Sequence, residues 1–314
     1  MNHRPARNRH HGLSRLKLFL ALSRTPHGLL DMATPAFAAL LWLGAFPPAR
    51  IIALGLVTVF AGYTAVYALN DIIDYRVDRE KARMDGGLRE SDNYLDAAII
   101  RHPMAQGLLS FKEGLLWAGG WSLVAVVGAT LLNPVCLLIF LAGCLLEAVY
   151  CGMLRISPFR TIISGGVKTA GAVAAVFAVD PAPSAAFVLL LFLWLFFWEI
   201  GGQNIPNDWA DVEEDRRLQA QTVPLRFGPE RAARFAAVAL VLALTAKAAM
   251  VFLSGIDPKS LFALVSLSIG CWLMGPAAIR LLQTRNRVHA VQLFNRASYY
   301  PPAMLLLVLI AVLL

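Results

Sequence analysis

Two stretches of this chain carry the same spacing of oxygen-bearing side chains: Asn70-Asp71-Ile72-Ile73-Asp74-Tyr75-Arg76-Val77-Asp78 and Asn207-Asp208-Trp209-Ala210-Asp211-Val212-Glu213-Glu214-Asp215. On a helix, positions i, i+1, i+4 and i+8 fall at about 0°, 100°, 40° and 80°. Asn70, Asp71, Asp74 and Asp78 therefore share one narrow face, and so do Asn207, Asp208, Asp211 and Asp215. Carboxylates crowded in this way repel one another unless a cation sits among them, and hard oxygen donors at this density suit a divalent ion such as Mg2+. A single Asp-x-x-x-Asp reads as a solvated helix end. The full pattern occurring twice reads as two metal-ligand clusters that hold a diphosphate between them, because each ion divides its coordination between carboxylate and phosphate oxygens. The eight residues are candidate metal ligands, and the six aspartates are the candidate catalytic groups.

The elements that position these motifs must be membrane helices. Of the 314 residues, 58% are hydrophobic and only 15% charged, and the mean hydropathy is +0.62, too apolar for a soluble domain of this size. Apolar runs long enough to cross a bilayer as helices fall at about 28–47, 51–70, 113–132, 135–152, 160–179, 183–204, 230–253, 260–281 and 297–314. An open sheet would leave backbone groups unpaired in lipid, and the alternation of a membrane barrel is absent. The predicted fold is all-α and polytopic, a single transmembrane domain over 28–314 behind a basic tail of residues 1–27. The motifs follow the second and sixth runs, so both emerge on one face, and the chain reads as two parallel four-helix repeats, 28–152 and 160–281, plus a final helix over 297–314. Repeats related by an axis near the membrane normal bring the motifs face to face across a central cavity.

Lys and Arg collect in the N-terminal stretch and on the motif-bearing side, whereas the opposite face carries only Arg50 and Lys259. By the positive-inside rule the N-terminus and the motifs are cytoplasmic, and the expected location is a bacterial inner membrane. The first apolar run is itself long enough to span, so no cleaved leader is expected. The net charge of +8 follows from the same bias and needs no nucleic-acid partner. Cys136, Cys144, Cys151 and Cys271 all lie in apolar runs, where they form neither a disulfide framework nor a zinc site.

The first motif, followed by Arg101-His102-Pro103-Met104-Ala105-Gln106-Gly107-Leu108-Leu109-Ser110, resembles the Asn-Asp-x-x-Asp-x-x-x-Asp and Arg-Pro-x-x-x-Gly-x-x-Ser elements of the UbiA prenyltransferase superfamily. Asp211-x-x-x-Asp215-Arg216, leading to Thr222-Val223-Pro224-Leu225-Arg226-Phe227-Gly228, is similar to that family's second signature. The resemblance covers nearly the whole chain. It implies Mg2+-dependent transfer of a prenyl group from a prenyl diphosphate to a lipophilic acceptor within the membrane, most often an aromatic quinone precursor. Two departures stand out: a long segment separates Asp78 from Arg101, and His102 interrupts the Arg-Pro pair. The inserted segment, 84–100, is expected to act as a lid.

A diphosphate needs cations beyond the metal, and Arg24, Lys81, Arg101, Arg155, Arg160 and Lys168 are the candidates on the motif side. Arg24 heads the first helix as in the family, Lys81 and Arg101 flank the first motif, and Lys168 is a charge inside an apolar run, which marks a functional group unless it snorkels. Glu199, about two turns before Asn207, is placed to bind the acceptor or take its proton. Asn204, with Asn70 and Asn207, completes the candidate substrate-binding set. Glu147 is a further carboxyl in apolar surroundings. Phe192, Trp194, Phe196, Phe197 and Trp198 offer rings for an isoprenoid channel. An intramembrane terpene cyclase, a lipid-phosphate phosphoribosyltransferase and a transporter remain as alternatives. Motifs at helix ends, away from the bilayer midplane, argue against the last.

Overall fold

The computed structural model describes residues 14–84 and 100–314. The segment expected to be a lid lies, over 85–99, outside the described residues, as do residues 1–13 of the basic tail. The chain opens with three short helices, α1 (Arg15–Leu22), α2 (Thr25–Asp31) and α3 (Ala33–Leu43). A long helix α4 (Ala49–Ile73) leads into α5 (Tyr75–Met84), and α6 (Phe111–Leu132), α7 (Pro134–Gly152) and α8 (Arg160–Val179) follow. Next, α9 (Ala185–Trp198) runs through a π-helical turn (Glu199–Asn204) into α10 (Ile205–Ala210) and then α11 (Val212–Arg217). The chain closes with α12 (Val223–Val251), α13 (Lys259–Thr284), α14 (Arg287–Ser298) and α15 (Tyr300–Leu313).

Among the described residues, eight helices are long and apolar enough to cross a membrane, which makes this an integral, multi-pass membrane protein. The ninth expected crossing, 28–47, is broken into α2 and α3. Pro35 cannot donate to the carbonyl of Asp31 one turn earlier, and the Thr34 hydroxyl donates to that oxygen instead at 2.9 Å. Much of the expected basic tail is structured too: α1 buries Leu18 and Leu22 with Ala68, Met104, Leu109 and Ala118.

Several expected boundaries also shift. The sixth crossing does not stop at 204 but continues through the π turn to Ala210, and the last begins at Arg287. The seventh starts at Val223 and breaks at Gly228, whose φ of 79° is a left-handed conformation suited to glycine, immediately before Pro229. That break accounts for the glycine of the second signature.

Small residues let the helices approach closely. Gly128 of α6 packs directly on Thr58 of α4, and Ala68 of α4 and Ala118 of α6 are buried in one cluster. The principal core joins α3, α9 and α12 to α15, with Trp194, Trp198, Phe187 and Tyr300 at its centre. The π turn is wedged into this core: a Cβ on Gly201 would lie 2.5 Å from the Ala236 carbonyl oxygen, and one on Gly202 would lie 2.8 Å from Ala297 Cβ. A π turn shifts the register of everything after it. Here it sets the direction of Asn204, Asn207 and Asp208.

The two motifs break at the same place. Both α4 and α10 end one residue before the third motif position, where Asp74 (φ −80°, ψ 0°) and Asp211 (φ −98°, ψ 12°) form the bend into the next short helix. Neither motif is the single straight helix its spacing predicts.

Candidate active site

Where the motifs meet, the chain encloses a polar pocket of about 140 Å³ lined by Asn70, Asp74 and Asp78 from one side and Asn207, Asp208, Asp211 and Asp215 from the other. Of the expected cations, Arg24, Lys81, Arg101 and Arg160 line the same pocket. Asp71 sits behind its wall. Arg24 Nη2 reaches Asn70 Oδ1 at 3.3 Å and Asp71 Oδ1 at 3.5 Å. Arg101 crosses from the segment after the first motif to the second, 3.3 Å from Asp211 and 3.8 Å from Glu214. Arg160 is buried over the Tyr150 ring, 4.1 Å from its centroid and 3.8 Å from Asp208.

His102, in the sequence only an interruption of Arg-Pro, faces the first motif. Its Nδ1 lies 3.1 Å from Asp71 Oδ1 and 2.8 Å from Asp78 Oδ2. Arg24 and His102 both hold left-handed backbone, with φ of 44° and 50°. Non-glycine residues adopt this conformation only where their surroundings enforce it, and both side chains point at Asp71.

Burial and crowding set the proton affinities here. Burial, then the neighbouring Asp78 carboxylate, pushes Asp74 up to about 6. Burial and Asp208 push Asp215 up to about 8. Burial alone would raise Asp78 and lower His102. Their mutual attraction, aided by Asp71, outweighs it, so Asp78 falls below the usual carboxylate value and His102 rises to about 9. A carboxyl that must lose a proton before it ligates a cation makes that cation's affinity depend on pH. A divalent cation held by these carboxyls should therefore bind more tightly as pH rises from about 6 to about 8, by at most about tenfold per unit for each titrating carboxyl. Calorimetric titrations with Mg2+ across this range check the slope, and a flat response would contradict it.

A second and larger cavity, about 510 Å³, lies deeper in the bundle and is mostly apolar. Its wall includes Arg24, Asn70, Tyr150 and Asn207, which also line the polar pocket, so the two spaces adjoin. Lys168, expected beside the diphosphate, is here instead. It does not snorkel but donates to Asp31 Oδ2 at 2.6 Å, and Tyr67 donates to the same oxygen. Glu199 accepts from the Ser164 hydroxyl at 2.7 Å on one oxygen, while its buried Oε2 has no hydrogen-bond partner. Asn204 is held by Thr161 at 2.7 Å and Tyr150 at 3.1 Å, and Glu147 accepts from Asn70 at 2.6 Å.

Two expectations fail. Arg155 lines neither space: it is exposed and bridges Glu80 at 2.7 Å. The rings of Phe192, Trp194, Phe196, Phe197 and Trp198 do not line the cavity either. Trp194 and Trp198 are core, and Phe196 packs on Gly165. The cavity's aromatics are Phe46, Tyr63, Tyr67, Phe140, Tyr150 and Phe294. Asp31, a carboxyl in the first apolar run, was legible on that ground alone. His102 carried no signal beyond its odd position.

Paired aspartate motifs at a polar pocket that adjoins an apolar intramembrane cavity are the defining features of the site. The UbiA prenyltransferase family matches residues 32–300, and the chain belongs to it. The chain is similar to the 4-hydroxybenzoate octaprenyltransferase of Aromatoleum aromaticum, 27% identical over 219 residues, 68% of each protein. It is also similar to the digeranylgeranylglyceryl phosphate synthase of Methanoregula boonei, 27% identical over 165 residues, which are 50% of this chain and 58% of that one. The chain thus spans less than two thirds of the latter's length. In fold it is similar to a UbiA homolog from Archaeoglobus fulgidus bound to GPP and Mg2+, with a TM-score of 0.70 at 15% identity, covering 95% of this chain and 100% of that one. An apo UbiA homolog from Aeropyrum pernix K1 aligns with a TM-score of 0.69 at 19% identity, covering 93% and 99%.

Proposed function

We propose that this protein transfers a prenyl group from a prenyl diphosphate to a hydroxylated aromatic acceptor inside the membrane, with the motif-bearing face in the cytoplasm. One observation carries the reading: a polar pocket ringed by carboxylates and cations shares a wall with a large apolar cavity. A diphosphate belongs in the first and its isoprenoid chain in the second.

The donor set fits Mg2+. Asp208 is buried, and its Oδ2 has no hydrogen-bond partner, as suits a carboxylate oxygen reserved for a cation. The ligand candidates are Asn70, Asp71, Asp74 and Asp78 with Asn207, Asp208, Asp211 and Asp215. When bound, Mg2+ supplies electrostatic stabilisation of the departing diphosphate.

Arg24, Lys81, Arg101 and Arg160 share the remaining phosphate charge, and Arg101 draws its segment across the pocket by pairing with Asp211 and Glu214. The carbon–oxygen bond breaks, its electron pair leaves with the diphosphate, and an allylic cation remains. The apolar wall keeps water from that cation, and the faces of Tyr63, Tyr67 and Phe140 stabilise it. The acceptor ring attacks and then sheds a proton, which Glu199 takes. Its unpartnered Oε2 on the cavity wall, together with the similarity to a 4-hydroxybenzoate octaprenyltransferase, supports an aromatic hydroxyl compound as acceptor. The similarity to digeranylgeranylglyceryl phosphate synthases supports a second reading, in which the acceptor is an alcohol carrying a phosphate.

Glu199→Gln tests the acceptor half. Diphosphate release should stay within about threefold of the unmodified enzyme, while coupled product falls at least about tenfold and prenyl alcohol rises in its place. Mass spectrometry of the extracted products separates the two. Unchanged partitioning would remove Glu199 from the reaction.

A further inference from the structure

The two metal-ligand clusters are not alike. The second offers only oxygen donors, from Asn207, Asp208, Asp211 and Asp215. The first has acquired a nitrogen: Asp71, Asp78 and His102 place one ligand atom each within 4.8 Å of one another. All three side chains are buried. Asp78 Oδ2 lies 2.8 Å and Asp71 Oδ1 3.1 Å from the same imidazole Nδ1, so one nitrogen faces two buried carboxylate oxygens.

The spacing is also that of a coordination shell. An octahedral ion with bonds of about 2.1 Å holds neighbouring ligand atoms about 3 Å apart, and the two nitrogen–oxygen separations are 3.1 and 2.8 Å. The left-handed backbone at His102, between Arg101 and Pro103, aims the ring inward at a conformational cost, so its placement is enforced and not incidental.

Carboxylate and water ligands suit Mg2+, whereas an imidazole nitrogen shifts preference towards first-row transition ions. We propose that His102 ligates a metal ion through Nδ1, making the first-motif site a mixed nitrogen–oxygen site that prefers Mn2+ or Co2+ to Mg2+, while the second-motif site remains all-oxygen. Binding there displaces the Nδ1 proton to solvent. The inference rests on the proposed metal-dependent function but concerns only which ion the first site takes.

The test uses the full-length, tag-free chain in detergent, stripped of metal with a chelator and titrated with Mn2+ alone. Electron spin-echo envelope spectra should show nitrogen-14 modulation of the bound Mn2+. Mg2+ should displace that ion only at more than about tenfold higher concentration, consistent with the ligand preference. His102→Asn and His102→Gln, checked for helix content by circular dichroism, should lose the nitrogen signal and most of the preference. The unmodified protein is decisive by itself, whatever the variants do. Bound Mn2+ without nitrogen coupling, or displaced by equimolar Mg2+, overturns the proposal and leaves the prenyltransferase reading intact. Failure of Mn2+ and Mg2+ to bind even with inorganic diphosphate present overturns both.

Discussion

Asp74→Asn and Asp211→Asn each lower turnover at least about a hundredfold at saturating substrate, and the double variant is little worse than the worse single one. Each change preserves size and removes one negative donor from the pocket that both residues line. A hundredfold loss corresponds to about 2.7 kcal/mol of transition-state stabilisation, within the range that removing one electrostatic contact to a departing anion produces. The two residues sit at the same bend of their respective motifs, and groups that act as one unit are strongly non-additive. Any variant with residual activity should also need more Mg2+. Rates of diphosphate release at several Mg2+ concentrations provide the check. Intact rate and Mg2+ dependence in Asp211→Asn, beside an inactive Asp74→Asn, would make the second motif a structural relic.

Arg160→Met raises KM for the prenyl diphosphate about thirtyfold or more. Its guanidinium is buried between the Tyr150 ring and Asp208, and its Nε has no partner within the chain. Truncating one member of a buried charge pair costs 2 kcal/mol or more, about thirtyfold in a binding constant. Arg160→Lys should recover only part of the loss, because an ammonium group neither stacks on tyrosine nor presents a planar fork. Arg155→Ala, by contrast, should stay within about twofold of the unmodified enzyme, since Arg155 is exposed and its partner is Glu80. Steady-state kinetics on the three variants decide it, and equal effects at 155 and 160 would dissolve the distinction between pocket and surface cations.

Much of this was legible because it is local. Spacing brought Asp74 and Asp78, like Asp211 and Asp215, to one pocket, and apolar run lengths placed most of the crossings. The breaks were less visible. Asp74 and Asp211 bend the chain at positions that the angular pattern treats as continuous helix. The split of the first crossing depends on Pro35 and a Thr34 hydroxyl that takes over the freed carbonyl. Pairings between distant segments could not be read at all. Lys168 is legible as an odd charge, but its partner Asp31 lies on another helix. His102 meets Asp71 and Asp78 through a pairing across more than twenty residues of chain that no local pattern encodes. The aromatic run before the second motif misled for a related reason. Composition cannot tell a ring that faces a cavity from one wedged into a core by the π turn that follows.

In the proposed function, one site joins a diphosphate pocket to an apolar reaction chamber. The most direct test gives the purified chain, in lipid vesicles with Mg2+, a panel of prenyl diphosphates and hydroxylated aromatic acids, and follows diphosphate and extracted lipids by mass spectrometry. Mg2+-dependent release of one diphosphate per prenylated aromatic product is the predicted result. A cyclised hydrocarbon formed without acceptor, or no diphosphate release under any condition, would contradict it.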